Sequence, residues 1–259
     1  MSNHLSIDKK TEYRRKNEIK YCSLVQFGNT INQILDDCHF IIDEQKKTPI
    51  EDLTGLQRLA LSITLMDYCN FRVGQLKHNK KSTGLLTIET QHYTPENRTI
   101  AFIGKKRVPN QCYLYDEKLN GEIQQLWREV DNYHPNKKDK KFLFRFDGGS
   151  QRVTTEDLNN FLKIYHPDFS AKMFRTWKAN LMFVEELNSM EIPNTLAEIR
   201  ENLKIATNNV AARLYHTPTI CRRSYLDGRI IELYRMQPEL FHGGGDAHEM
   251  LLGFLKGFC

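Results

Sequence analysis

Four short segments carry side chains whose types and spacing could do chemistry. Phe71-Arg72-Val73-Gly74-Gln75 sets a guanidinium beside a glycine, and Gly104-Lys105-Lys106-Arg107 gathers cations in one turn. In Ser170-Ala171-Lys172-Met173-Phe174-Arg175-Thr176-Trp177-Lys178, Lys172 and Arg175 share one face of a helix by their spacing. Further on, His216 precedes Tyr225, with Arg222 and Arg223 between them. Taken singly, each has an ordinary structural reading. An arginine beside glycine is a surface cation, Lys172 with Arg175 a solvated face, His216 a neighbour of a helix cap, and Tyr225 a half-buried ring. Other chemistries lack their motifs. There is no Gly-rich loop followed by Lys-Ser/Thr and no Gly-x-Gly-x-x-Gly, so no nucleotide cofactor is expected. His248-Glu249 has no second histidine four residues after the first, and Asp36-Asp37 and Glu185-Glu186 are adjacent pairs read as solvated. His242 and His248 flank a Gly-rich turn without a completing ligand, so no metal site is expected.

The elements that must position these side chains are mainly helical. Leu24, Phe27, Ile31, Ile34, Cys38 and Ile41 recur at three- and four-residue steps and predict one helix, ended by Lys46-Lys47-Thr48-Pro49. A second helix is expected from about Leu53 to Asp67. The texture then changes to three short strands, over Gly84–Thr90, Thr99–Ile103 and Gln111–Tyr115, which predict a small antiparallel sheet. Helices resume at Glu117–Val130, before the polar linker Asn132–Lys141, and again from Thr154. Thr195-Leu196-Ala197-Glu198 has capping-box spacing and opens a helix with Leu196, Ile199, Leu203, Ala206 and Val210 on one face. Thr217-Pro218 predicts another N-cap, and Asp227-Gly228 an interruption. The fold class expected is α+β, mainly α. Met250–Leu255 is read as a packed helix after a flexible turn, with a partner-binding tail as the alternative.

The 259 residues suffice for one to two domains at about 150 each. Hydrophobic residues at 40% and charged residues at 27% exclude a wholly disordered chain or a disulfide scaffold. No apolar run approaches about 20 residues, and the first ten lack the apolar core of a signal peptide. The net charge of +5 permits a nucleic-acid partner without demanding one. The six cysteines are scattered, without a Cys-x-x-Cys pair, and read as reduced thiols in a cytosolic or nuclear setting.

Together the four segments resemble the type IB DNA topoisomerases, most closely the short poxvirus-like and bacterial-like enzymes. The resemblance runs from about Leu53 to Tyr234 and is strongest at Ala171–Trp177 and at His216-Thr217-Pro218 through Arg223-Ser224-Tyr225. It implies the fold of the DNA breaking-rejoining, tyrosine-recombinase-like superfamily and a double-stranded DNA substrate, handled by a monomer without metal, ATP or membrane. It implies Tyr225 as a nucleophile that forms a 3′-phosphotyrosyl bond and releases a 5′-hydroxyl. Arg72, Arg175 and His216 would bind the non-bridging oxygens of the scissile phosphate, and Lys105 would protonate the leaving oxygen. Lys172 stands where the family has a supporting basic residue; Arg222, Arg223 and Lys106 are candidate phosphate contacts. The chemistry suits the residue types. A tyrosine hydroxyl, with a reference pKa near ~10, needs its developing phenolate stabilised, and fixed guanidinium and imidazole donors can meet the charge that builds on a five-coordinate phosphate.

Residues 1–20 are charged and poor in apolar side chains and read as an arm or frayed helix, and the resemblance implies a catalytic domain over residues 21–259. The separate N-terminal clamp domain of the poxvirus-like enzymes is expected to be absent or reduced. The poxvirus-like character points to a viral source. Two alternatives stand beside this reading. A tyrosine recombinase or integrase shares the fold core and the Arg–Lys–His–Tyr set, and a catalytically silent DNA-binding module would keep the cations without needing the tyrosine.

Overall fold

The computed structural model describes residues 2–44, 51–74, 83–132, 142–146 and 151–259. The expected helix terminator at 46–49, residue Gln75 and most of the expected linker (133–141) lie outside them. Among the described residues the helices are α1 (Ser2–Glu44), α2 (Glu51–Cys69), α3 (Glu117–Asn132), α4 (Thr155–Leu162), α5 (Ala171–Asn188), α6 (Leu196–Arg213), α7 (Pro218–Ser224), α8 (Gly228–Met236) and α9 (Ala247–Phe258). Strands β1 (Tyr93–Thr94), β2 (Thr99–Ile103) and β3 (Pro109–Tyr113) form one antiparallel sheet in the order β1-β2-β3. The chain is α+β and mainly α, as its patterning predicts. It divides into two compact units, residues 32–175 and residues 1–31 with 176–259.

In the unit of residues 32–175, α2 is buried over Ala60, Leu61, Ile63, Leu65 and Met66. Arg58 of α2 pairs with Glu129 of α3, and Lys118 of α3 reaches Asp43 of α1 at 2.6 Å. The sheet is registered Ile100 on Tyr93 and Ile103 on Pro109. The predicted strand Gly84–Thr90 is not a strand. Leu85–Thr87 and Thr90–His92 are 3₁₀ turns, and Leu85, Leu86, Thr87 and Ile88 are buried in succession. Strand alternation would have turned every second one of them outward. The third strand begins two residues earlier than predicted.

In the other unit, Leu24, Phe27 and Ile31 of α1 are buried, as their spacing predicts. Gly28 sits where bulk is excluded, since a Cβ there would lie 2.3 Å from Trp177 Cη2 and 2.8 Å from Leu252 Cδ2. So α1, α5 and α9 meet at one point. In α6 the predicted face holds at Ile199, Leu203, Ala206 and Val210, whereas Leu196 is 70% exposed because it opens the helix. Thr195, Thr217 and Asp227 cap α6, α7 and α8 by accepting from Glu198 N, Ile220 N and Arg229 N. Each such cap stabilises its helix by about 1 kcal/mol. The C-terminal segment is a packed helix: Leu251, Leu252 and Leu255 of α9 are buried, and Phe254 lies against Phe241 with centroids 4.7 Å apart.

Two readings from the sequence change here. Four of the six cysteines are bonded rather than reduced, Cys22 to Cys259 and Cys69 to Cys112, with Cα atoms 5.7 and 5.5 Å apart. Pairing depends on that through-space distance, and no spacing along the chain announces partners 237 residues apart. The Glu185-Glu186 pair is also not simply solvated. Arg213, exposed at the end of α6, places Nη1 3.7 Å from Glu185 Oε2 and 3.6 Å from Glu186 Oε1 and so meets both carboxylates at the surface.

Candidate active site

Arg72 follows α2 on a segment whose backbone is held at both ends. Asn70 takes a positive φ of 55°, which ends the helix; asparagine tolerates this conformation better than most residues. Phe71 is 1% exposed and meets Phe102 of β2 edge-on, with centroids 4.8 Å apart. Arg72 O and Val73 O accept from Leu85 N and Leu86 N, both at 2.8 Å. Gly74, at φ +79°, lies so close to Gly84 that a Cβ on Gly84 would stand 2.5 Å from Gly74 Cα. Only a glycine pair permits this approach, and it places Arg72 at a fixed point of the unit.

Lys105 sits at the tip of the β2–β3 hairpin. Gly104 N donates to Val108 O at 2.8 Å, and Asn110 Nδ2 donates to the same carbonyl at 2.9 Å. Lys106 and Arg107 have positive φ values of 61° and 60°. Lys105, Lys106 and Arg107 are all exposed, so the tip is a compact cationic point. Arg107 was not singled out from the sequence, although its place directly after two lysines was a visible signal. Behind the hairpin, burial holds the His92 imidazole below its ordinary pKa, against the opposing effect of Glu89. Its Nδ1 accepts from Glu89 N at 2.9 Å, and its ring meets Phe102 with centroids 6.1 Å apart.

Lys172 and Arg175 lie in the first turns of α5, but they are not one solvated face. Lys172 is exposed, while Arg175 is 8% exposed and donates from Nη1 to Asn70 O at 2.7 Å. That bond ties α5 to the segment carrying Arg72. Through Phe71 and Phe102 the same segment is tied to the Lys105 hairpin. The structure thus links the supports of all three residues within residues 32–175.

In the other unit the structure brings His216 and Tyr225 into contact. Their rings stack with centroids 5.0 Å apart and an interplanar angle of 4°. The chain turns at Tyr215, whose φ is 52°, and His216 N bonds to Ala211 O at 3.0 Å. Thr217 and Pro218 then start α7, and Tyr225 caps its end. This short helix is what closes the sequence gap between imidazole and phenol. Tyr225 is 7% exposed, and Arg222 and Arg223 are exposed on the last turn of α7.

Three residues that sequence reading missed hold the backbone here. Asn180, fully buried on α5, donates from Nδ2 to Tyr225 O at 2.9 Å and accepts from Asp227 N at 2.8 Å. Lys20 Nζ donates to Ser224 O at 2.7 Å, and Tyr21 Oη donates to Leu226 O at 2.6 Å. An asparagine inside the apolar run of α5 was a legible signal. Lys20 and Tyr21 had none, because their partners lie about 200 residues away. His242 and His248 face aromatic rings, Tyr234 and Trp177 respectively. Among the described residues, no three metal-ligating side chains gather and no helix is long and apolar enough to cross a membrane.

A mainly helical chain with a small sheet, a basic hairpin tip, a buried arginine and a stacked His–Tyr pair has the features expected of the DNA breaking-rejoining class. Residues 9–236 match the family described as eukaryotic DNA topoisomerase I, catalytic core, and the chain belongs to that family. DNA topoisomerase 1B of Acanthamoeba polyphaga mimivirus is 28% identical over 218 residues, covering 77% of this chain and 62% of that protein. DNA topoisomerase I of Monkeypox virus is 24% identical over 183 residues, covering 69% and 54%. DNA topoisomerase 1 of rabbit fibroma virus (strain Kasza) is 22% identical over 219 residues, covering 82% and 64%. The chain therefore spans 54% to 64% of the length of these relatives.

Proposed function

We propose that this chain is a type IB DNA topoisomerase that relaxes supercoiled double-stranded DNA by transient single-strand cleavage, strand rotation and religation. The observation that carries the reading is the stacking of Tyr225 on His216 at the end of α7. A protein that only binds DNA needs cations, but has no use for a tyrosine held beside an imidazole. Membership of the topoisomerase I catalytic-core family supports the same reading.

In the proposed reaction, Tyr225 Oη gives up its proton to solvent as it attacks the scissile phosphorus, a 3′-phosphotyrosyl bond forms, and the bond to the 5′-oxygen breaks. Lys105 gives that oxygen a proton, so it leaves as a 5′-hydroxyl. Arg72, Arg175 and His216 bind the non-bridging oxygens as negative charge builds on them, which is where preorganised donors lower a barrier most. Their charge does the work that metal ions do in many phosphoryl-transfer enzymes, so the reading assigns no role to a metal. Religation runs the same steps backwards, and because the covalent bond preserves the broken linkage, no ATP is consumed. Lys172, Lys106, Arg222 and Arg223 are assigned to DNA backbone contacts. Residues 21–259 are read as the catalytic domain, acting as a monomer, and residues 1–20 as a charged arm. That arm is helical from Ser2 as the start of α1, and its last residue, Lys20, reaches the domain at Ser224 O.

The test is relaxation of a negatively supercoiled plasmid with EDTA present and ATP absent. Loss of supercoils, with protein trapped on the 3′ side of the nick, is the expected result. Tyr225→Phe should abolish both while leaving DNA affinity nearly unchanged; relaxation by that variant would remove Tyr225 from its role. Affinity should fall with salt at a logarithmic slope of about −0.9 per phosphate neutralised. Activity only on paired specific sites would identify a recombinase instead.

A further inference from the structure

Lys20 and Tyr21 are adjacent on α1, and the chemistry proposed above uses neither. Both are nevertheless bonded to the backbone that flanks Tyr225. The ammonium of Lys20 meets Ser224 O at 2.7 Å, and the hydroxyl of Tyr21 meets Leu226 O at 2.6 Å. Between them, Tyr225 O accepts from Asn180 at 2.9 Å. Three successive carbonyls, 224 to 226, thus each receive a side-chain donor. These are carbonyls of the kind that a helix end leaves without an intrahelical partner. Water would satisfy them equally well in energy, but water does not fix a position.

The two residues also hold each other. Lys20 Nζ is 3.0 Å from Tyr21 Oη and 4.2 Å from the centroid of its ring. Tyr21 is 3% exposed. Their helix is anchored immediately beyond them, because Cys22 is bonded to Cys259 and Gly28 lies under Trp177 and Leu252. A second brace comes from Arg229, which pairs with the buried Asp227 at 2.8 Å and bonds to Phe258 O at 3.3 Å. The backbone on both sides of Tyr225 is therefore referred to α1 and α9. Helix α9 lies beyond the residues that match the family.

We propose that Lys20 and Tyr21 are positioning residues for the nucleophile. By holding the Ser224 and Leu226 carbonyls they set the backbone from which Tyr225 projects, and so the line along which its hydroxyl approaches phosphorus. Neither side chain touches the reacting atoms. The proposal rests on Tyr225 being the nucleophile. A misplacement of about 1 Å at a reacting centre can cost about 100-fold in rate, so two lost tethers should appear in the cleavage step and not in DNA affinity.

The experiment mixes excess protein with supercoiled plasmid, quenches with detergent, and follows the plasmid that carries covalent protein. Lys20→Met and Tyr21→Phe should each slow adduct formation by about 10- to 100-fold, with the dissociation constant for the plasmid unchanged. Lys20→Arg, which keeps a donor, should recover most of the rate. Wild-type rates in both variants would overturn the proposal. So would a loss of rate that follows weaker DNA binding or a lowered melting temperature and that Lys20→Arg does not restore, since that marks a role in folding alone. Tyr225→Phe is run alongside. If it forms no adduct while Tyr21→Phe and Lys20→Met behave as wild type, positioning fails and the nucleophile stands. If it still forms adduct, the nucleophile assignment fails and takes the positioning role with it.

Discussion

Arg175 shows how much one side chain is asked to do. It is almost wholly buried, and it uses one arm of its guanidinium on Asn70 O, two residues before Arg72. The planar fork offers five donors in fixed directions, so a single residue can brace a loop and still face a phosphate. Arg175→Ala should slow single-turnover cleavage by about 10²–10³-fold, the typical cost of losing a preorganised donor at a developing charge. Arg175→Lys should not recover it, because an ammonium is a point charge without the fork. Full recovery by lysine in the same measurement would show that charge alone is needed. From the sequence, Arg175 and Lys172 were one pair at helical spacing. Their different burial depends on α2 ending where it does, which spacing along α5 does not encode.

The decisive contact among the elements is backbone on backbone. Gly74 and Gly84 approach so closely that a methyl group on Gly84 would fall 2.5 Å from Gly74 Cα and 2.8 Å from Arg72 O. Gly84→Ala must force the two segments apart, strain the bonds from Leu85 and Leu86, and shift Arg72. Overpacking of this kind costs about 1–3 kcal/mol, so the melting temperature and the cleavage rate should fall together. Gly121, inside α3, has nothing within 4 Å of its absent Cβ. Gly121→Ala should therefore raise stability by up to about 1 kcal/mol and leave cleavage unchanged. Thermal melts of the two variants decide the matter, and equal melting temperatures would refute the contact. The contact also explains the misread strand. Leu85-Leu86-Thr87-Ile88 contains strand formers, but the Leu85 and Leu86 amides are bonded to Arg72 O and Val73 O, those of Thr87 and Ile88 turn back to Gly84 O and Leu85 O, and all four side chains are buried. Tertiary burial overrode local propensity.

Over the whole molecule, two covalent links constrain the chain. Cys22–Cys259 closes a loop with 237 residues of separation and Cys69–Cys112 one with 43. Removing such a bond costs about 2–5 kcal/mol. A dithiol reductant should accordingly lower the melting temperature of the wild-type chain. A variant carrying Cys22→Ala and Cys259→Ala should melt below the oxidised wild type and respond less to reductant. An identical melting temperature with and without reductant in the wild type would show that the bonds contribute nothing to stability. The Cys69–Cys112 bond joins the end of α2, three residues before Arg72, to β3. Its loss should therefore also slow cleavage.

What was legible in advance is what local physics specifies. The helical faces of α1 and α6, the caps at Thr195 and Thr217, the Gly104–Arg107 turn and the mainly α class follow from spacing and capping chemistry, which act over a few residues. Asp227, by contrast, reads along the chain only as an interruption, and it is the N-cap of α8. The candidate set of Arg72, Lys105, Lys172, Arg175, His216 and Tyr225 was legible as four ordered segments, because side-chain type and order survive in a linear chain. Distances do not survive there. The pairing of Cys22 with Cys259, the Gly74–Gly84 approach, the burial of Arg175 and the grip of Lys20 and Tyr21 on the Tyr225 backbone join residues far apart in sequence. Such contacts form only when many weak burial terms select one packing, and no single residue carries their sign.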